Sequence, residues 1–338
     1  MNRRMLAALC AILLASAPAV YSSGPAGVVY QIEDLGTTTD GLVPTVTGMN
    51  ASGQVSGYVS RADGGLRAVR FTNGVGWTYL PGLQSVYSVA TAINVNGDLA
   101  GYYFAPTGLG AFRYVDGIGV TAIAALPGGS YGIGFAIAAN GDVVGYGNSS
   151  AGTRAWRASP GLAPVVPAAL STSTSKACGV NGAGQMVGWF TTPAGYQHAF
   201  RLEADSSLTD IGTLEGPSSA SSACALDGDG LVGGSSSFRG ATHAFVFAGG
   251  ALSDVDSFQS TFSKVEAVSN GVGAGMFTWS PVTGETHAFV YTSANGMSDL
   301  NTRIPAGSGW ILSDATAVNS NGQIAGQAWS EEAHARSG

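Results

Sequence analysis

One phrase recurs along this chain at a near-constant interval, and no other feature restricts its fold so tightly. It consists of a small residue, an aliphatic one, an Asn-like anchor, two variable positions, Gly, a polar residue, an aliphatic pair and a second Gly. Clear copies run from Gly48-Met49-Asn50 to Gly57-Tyr58, Ala92-Ile93-Asn94 to Gly101-Tyr102 and Ala136-Ile137-Ala138 to Gly145-Tyr146. Two more run from Gly179-Val180-Asn181 to Gly188-Trp189 and from Ala317-Val318-Asn319 to Gly326-Gln327. Degenerate copies, each one residue short, start at Ala225-Leu226-Asp227 and Ala267-Val268-Ser269. The anchors fall at 50, 94, 138, 181, 227, 269 and 319, spaced by 44, 44, 43, 46, 42 and 50 residues. A fixed period of this size marks one supersecondary unit stacked many times.

Each period has the same internal order. A first strand, A, ends at the anchor, and the x-x-Gly after it makes a tight turn, since Asn and Gly tolerate positive φ. Strand B carries the aliphatic pair and Gly-Tyr, strand C a short phrase such as His198-Ala199-Phe200, and strand D a phrase such as Leu208-Thr209-Asp210-Ile211. Four strands of about five residues and their turns fill about 44 residues, the size of a propeller blade. The prediction is an all-β chain: a seven-bladed β-propeller of four-stranded antiparallel blades. Tyr30–Thr37 reads as a strand D ahead of the first A strand, and the last period shows A, B and only His334-Ala335 of strand C. The N-terminal strand is therefore expected to close the last blade, removing exposed sheet edges. The alternative is a β-solenoid with two rungs per period, which would need polar caps at both ends. A membrane β-barrel fits less well, because its strands run to about ten residues.

Arg3 and Arg4 precede an apolar run, Met5–Ala15, followed by Ala17-Pro18-Ala19. These are the three parts of a secretory signal peptide. The expected organisation is residues 1–19 as signal and 20–338 as a single propeller domain of seven repeats, secreted or held at the cell surface or in the periplasm. Removing the signal leaves 12 basic and 21 acidic side chains, so the net charge moves from −7 to −9, and the only lysines are Lys176 and Lys264. Such a surface repels phosphate backbones, which argues against nucleic acid as partner, and no second apolar span appears. Charged residues make up 10 % of the chain, against about 25 % in ordinary soluble domains, as expected of many short strands and tight turns.

The combined phrases A-I-N-x-x-G-x-V-V-G-Y, H-A-F and D-I-G-T-L resemble the HAF family of bacterial extracellular repeat proteins. The tripeptide stands at His198-Ala199-Phe200, His243-Ala244-Phe245 and His287-Ala288-Phe289, and the last phrase at Asp34-Leu35-Gly36-Thr37 and Asp210-Ile211-Gly212-Thr213-Leu214. The resemblance implies an exported repeat protein and carries no activity, so it transfers no catalytic residue. The early periods depart from it, with Arg67-Ala68-Val69, Gly110-Ala111-Phe112 and Arg154-Ala155-Trp156 in place of the tripeptide.

No catalytic residue, metal site or cofactor is assigned from the sequence. His198, His243, His287 and His334 occupy one repeat position, as strand-end side chains bonding backbone or water would. Gly128-Gly129-Ser130-Tyr131-Gly132 matches G-x-S-x-G but lacks the following helix that a nucleophile elbow requires. Asp227-Gly228-Asp229-Gly230 and Asn94-Val95-Asn96-Gly97-Asp98 are similar to calcium loops yet lack the Glu of an EF-hand. Cys178 and Cys224 sit three residues before their anchors, where Thr47, Thr91, Phe135, Glu266 and Thr316 stand elsewhere. A bridge needs Cα atoms within about 7 Å; the reading favours two buried thiols and leaves the disulfide open.

The D–A and B–C loops vary most, and binding usually resides in variable loops on a rigid scaffold. They carry Tyr131, Tyr196, Phe238, Trp279 and Trp310, with Phe258 and Phe262. Aromatics among small polar residues suit stacking on sugars or peptide side chains. The expected function is thus an exported, non-catalytic binding or scaffold propeller for an extracellular glycan or protein. The alternative is a secreted hydrolase or lyase acting on polysaccharide in the central funnel, which a single unmatched acidic or His residue at the funnel would favour.

Overall fold

The computed structural model describes residues 9–16 as backbone, 29–105 and 108–330. Strands β1 (Leu9–Ser16) and β2 (Tyr30–Asp34) precede β3–β6 (Pro44–Met49, Val55–Ser60, Leu66–Thr72, Gly76–Tyr79). Strands β7–β10 follow (Ser88–Ile93, Leu99–Ala105, Gly108–Val115, Gly119–Ile123), then β11–β13 (Gly132–Ile137, Val143–Ser149, Gly152–Ala158). Next are β14–β17 (Ser175–Val180, Met186–Thr191, Gln197–Leu202, Leu208–Gly212) and β18–β21 (Ser221–Leu226, Val232–Phe238, Ala241–Ala248, Ala251–Asp254). The last are β22–β25 (Ser263–Ser269, Val272–Ser280, Glu285–Thr292, Gly296–Asp299), β26 (Trp310–Val318) and β27 (Ile324–Ser330). All sheet pairings are antiparallel.

The expectation of seven four-stranded blades is corrected: there are six four-stranded blades, and β11–β13 form a sheet of three. The period around 138 lacks its strand D because Pro160, Pro164 and Pro167 interrupt that stretch, and proline cannot donate to a ladder. Pairing there shrinks to one bridge between Arg157 and Val165. The expected make-up of the last blade is corrected too. The final sheet has the order β2-β1-β27-β26, so Tyr30–Asp34 is its outermost strand, but the strand on which it lies is β1 and not the expected strand C at His334-Ala335. Residues Leu9–Ser16, inside the run read as a signal, stand between Tyr30–Asp34 and β27. His334-Ala335 lie outside the described residues.

The sheets face one another around a central channel, and the anchors stitch them together. Asn50 Nδ2 donates to Asn94 O at 3.0 Å, Asn94 Nδ2 to Ala138 O at 3.0 Å and Asn181 Nδ2 to Asp227 O at 2.9 Å. Asn319 Nδ2 donates to Asn50 O at 3.0 Å, across 269 residues of sequence, and so closes the ring. A linear solenoid cannot make that bond. The anchor Asn is therefore not there for positive φ. Its Oδ1 caps the turn, as Asn50 does for Ser52 N and Gln54 N, and the glycine three residues on takes the left-handed conformation, with φ of 73° at Gly53 and 81° at Gly184.

Strand C supplies the core. Phe112, Trp156, Phe200, Phe245 and Phe289 are almost completely buried. The Ala before the aromatic donates its N–H to a serine of the next blade, as Ala199 N does to Ser221 Oγ at 2.7 Å and Ala244 N to Ser263 Oγ at 2.8 Å. The His before that Ala pairs with a strand D carboxylate: His198–Asp210 at 2.9 Å, His243–Asp254 at 2.9 Å and His287–Asp299 at 2.8 Å. An Asp thus takes the place of the expected backbone or water partner at His243 and His287 and stands beside a backbone partner at His198. His198 adds Pro217 O at 3.0 Å on Nε2.

Candidate functional site

Every strand A carries a register shift, and it falls in the same place. The shifts lie between Val46 and Gly48, Ala90 and Ala92, Gly134 and Ala136, Ala177 and Gly179, Ala223 and Ala225, and Val265 and Ala267. In the last sheet Asp314 and Ala317 flank it. A β-bulge leaves one residue outside the ladder and re-aims its side chain. The released residues are Thr47, Thr91, Phe135, Cys178, Cys224, Glu266 and Thr316, and all of them line a central channel of about 440 Å³.

Most of these side chains serve their neighbours. Thr47 Oγ1 donates to Ala90 O at 2.7 Å, and Thr91 Oγ1 to Gly134 O at 3.0 Å. Cys178 and Cys224 are joined by a disulfide with Cα atoms 4.9 Å apart. The bulges bring adjacent A strands closer than the sequence reading assumed when it favoured free thiols. Because the bridge closes a separation of 46 residues, its removal is expected to cost about 2–4 kcal/mol. Urea unfolding with and without reductant checks this: the midpoint should shift in the native chain and stay put in a Cys178→Ser/Cys224→Ser variant.

Glu266 breaks the pattern. It is the one carboxylate among the bulge residues, and Lys264 Nζ holds its Oε1 at 3.0 Å. Asp314, at the position equivalent to Lys264 in the neighbouring strand A, completes an acidic cluster. Burial, and after it the charge of Glu266, push the Asp314 carboxyl up to about 7, against a smaller opposing effect of Lys264. Its Oδ1 is closed to solvent and has no hydrogen-bond partner, and the same is true of both side-chain polar atoms of Gln327, its cross-strand neighbour. A carboxyl held protonated near neutrality beside an ion-paired carboxylate is an arrangement for general acid–base chemistry.

The other side of the ring is aromatic. Tyr58, Tyr102, Tyr146 and Trp189 share one position in strand B of successive periods. Tyr146 stacks on the channel residue Phe135, centroids 5.6 Å apart, and Lys176 Nζ sits 4.3 Å from the Tyr146 ring and 5.5 Å from Trp189. Burial first, then the neighbouring phenols Tyr87, Tyr58 and Tyr146, raise Tyr102 to about 12. Sequence reasoning filed these residues as strand grammar. The signal was present in the two lysines, which fall at equivalent positions two residues before the bulge.

The loop aromatics chosen from sequence mostly pack on their own sheets. Tyr131 meets Tyr146, Phe238 covers His243, Phe258 stacks on Phe277 and Trp279 lies flat on His287 at 4.5 Å. Trp310 is half-buried against the cluster around Leu300 and Leu312. Tyr196 and Trp279 retain 40 % and 55 % exposure, respectively, and Phe262 is also exposed. Ser130 is bound by Asn148, through N–H to Oδ1 and through Oγ to Nδ2, and among the described residues no His hydrogen-bonds to it. Asp227 Oδ1 accepts from Asp229 N and Leu231 N, so the calcium-like loop is a capped turn. Among the described residues no group of three or more His, Cys, Asp or Glu could hold a metal ion, and no helix is long and apolar enough to cross a membrane.

No family model matches the chain, and no curated protein matches it in sequence. The likeness to extracellular repeat proteins therefore rests on its three phrases alone. Among solved structures, a puromycin hydrolase is similar at 13 % identity and a TM-score of 0.54, over 86 % of this chain and 51 % of that one. The propeller domain of the Trilobed protease from Pyrococcus furiosus is similar at 8 % identity and 0.53, over 80 % and 82 %. Virginiamycin B lyase from Staphylococcus aureus is similar at 12 % identity and 0.49, over 84 % and 94 %. The chain spans about half the length of the puromycin hydrolases it matches. At such identities the likeness concerns the fold alone. The chain is an all-β propeller, related distantly to several propeller proteins, and its fold is capable of binding a ligand.

Proposed function

We propose that this chain is an exported propeller that holds a polysaccharide in its central channel and cleaves it by general acid–base chemistry. The observation that carries this reading is the break in the repeat where Lys264, Glu266 and Asp314 converge from β22 and β26. Asp314 gives its proton to the glycosidic oxygen of the departing sugar. Glu266 takes a proton from the water that adds to the anomeric carbon, or from the sugar ring itself in an elimination. The aromatic arc from Tyr58 to Trp189 supplies stacking surface for sugar rings. Export rests on Arg3-Arg4 and the apolar run behind them, and on the resemblance to the HAF family.

The test incubates the protein with neutral, acidic and amino-sugar polysaccharides and measures new reducing ends and unsaturated ends. Product from one class, lost in Glu266→Gln, supports the reading. Retention of a polysaccharide without product would leave the non-catalytic binding module. A protein that neither retains nor cleaves any of these polysaccharides overturns the channel as a glycan site.

A further inference from the structure

Strands A begin at one mouth of the channel, and the position five residues before each anchor stands there. Four sheets place an uncharged residue at that position, such as Ile133 or Ser222, and two give Lys264 and Asp314 to the cluster described above. The remaining sheet gives Lys176. We infer that Lys176 binds the carboxylate of an acidic sugar, a hexuronate unit set among neutral sugars, in the polysaccharide that the channel holds. The inference rests on the channel being a polysaccharide site and adds which sugar it selects.

Lys176 is held in place without being neutralised. Its Nζ lies 4.3 Å from the Tyr146 ring and 5.5 Å from the Trp189 ring. Among the described residues no carboxylate pairs with it and no acceptor takes its hydrogens, whereas Lys264, at the equivalent position, has Glu266 at 3.0 Å. An aromatic face attracts an ammonium through its quadrupole but carries no net charge. The full positive charge of Lys176 and its N–H donors therefore stay open to an anion. The cradle is itself supported. Tyr146 packs on Phe135 and Tyr131, with centroids 5.6 and 6.4 Å apart, and Lys176 stands opposite Trp189 in the ladder of β14 and β15.

Two features favour an acidic sugar over a bare anion or a polyanion. Among the described residues no aromatic ring packs on the half-buried Trp189, which leaves its indole as a stacking platform. A hexuronate carries its carboxylate on a ring carbon, so a ring stacked on the indole presents its charge at the rim, beside the ammonium. The chain as a whole, with 21 acidic and 14 basic side chains, repels a polyanion. Screening over about 8 Å at physiological salt still lets one local cation hold one carboxylate. A largely neutral polysaccharide with occasional uronate units gains that contact without the repulsion. Strand β18 packs between β14 and β22, so the acidic sugar lies to one side of the bond on which Glu266 and Asp314 act. Lys176 thus governs selection and takes no part in the chemistry.

Lys176 and Lys264 are the only lysines of the chain, so peptide masses follow the acetylation of each in the full-length protein, whether or not any polysaccharide is cut. Methyl glucuronoside, methyl glucoside, a sulfated methyl glucoside and acetate are added in turn. The expected result is that the glucuronoside slows acetylation of Lys176 relative to Lys264, and the neutral glucoside does not. Equal protection by glucuronoside and glucoside, protection by acetate as strong as by the glucuronoside, stronger protection by the sulfated sugar, or none at all overturns the inference. A glucan with occasional glucuronate units should also bind about tenfold more tightly than the same polymer with its carboxyls reduced to alcohols, the scale of one hydrogen bond to a charged group. Lys176→Met should bring the two affinities together, and a variant that keeps the preference overturns the inference. Selective protection of Lys176 with no polymer cleaved supports this assignment and counts against the cleavage reading alone.

Discussion

Replacing Asp314 by Asn is expected to cut product release by about 10²–10⁴-fold, the usual contribution of a general acid, while stabilising the protein above neutral pH. The two effects share one cause. Asp314 keeps its proton in the native state up to about 7, whereas an ordinary Asp releases it near 3.8. Between those values the native state binds more protons than the unfolded chain, so stability falls as pH rises. The contribution of protonated Asp314 is fully present below 3.8 and lost as pH passes about 7. Activity that depends on the same proton declines over the upper end of that window. Urea midpoints from pH 5 to pH 8 should fall in the native chain and be flatter in the Asn variant. An Asn variant that turns over normally, or two identical pH profiles, would refute the assignment.

Gly188→Ala should unfold the propeller or destabilise it by more than about 4 kcal/mol, a size reached only by outright steric or cavity defects. A Cβ on Gly188 would sit 1.9 Å from Lys176 O and 2.9 Å from Ala177 Cα. The bulge at Cys178 pushes the backbone of strand A onto that spot, so no rotamer change relieves the clash. The equivalent Gly145, Gly275 and Gly326 face a carbonyl at 1.9, 1.9 and 2.0 Å. Gly182→Ala is the control, since nothing lies within 4 Å of its Cβ position, and its effect should stay within about 0.5 kcal/mol. Thermal unfolding of both variants, side by side, checks the contrast. A Gly188→Ala protein that melts like the parent would mean that strand A is not bulged.

The repeat made the fold class readable because its period, its Gly positions and its buried aromatics all come from one local pattern. The count of four-stranded blades was not readable. The period around 138 keeps its A, B and C phrases and loses only strand D, where three prolines act on pairing rather than on the phrase. The third strand of the last sheet was unreadable for a different reason, since the occupant of a strand position depends on backbone competition between distant segments. The site was half legible. Glu266 was noticed at the channel position only as an occupant of the cysteine slot, because its importance comes from Asp314 one sheet away. Aromatic composition does not show which loop rings face solvent, as Tyr196 does, and which also lie on the His of their own blade, as Trp279 does.

The bulges also separate two jobs that most folds combine. A residue pushed out of the ladder pairs with no strand, so where its side chain neither bridges blades by a disulfide nor bonds the next blade's carbonyl, as at Glu266 and Thr316, its identity can change with little effect on the walls. Thr, Phe, Cys and Glu already occupy that location in different blades. Randomising Glu266 and Thr316 together, with the disulfide and the bonding threonines kept, should give a library in which most members still fold and differ mainly in what they accept along the axis. Such a chain can acquire a new specificity through a few substitutions, none of them in its interior.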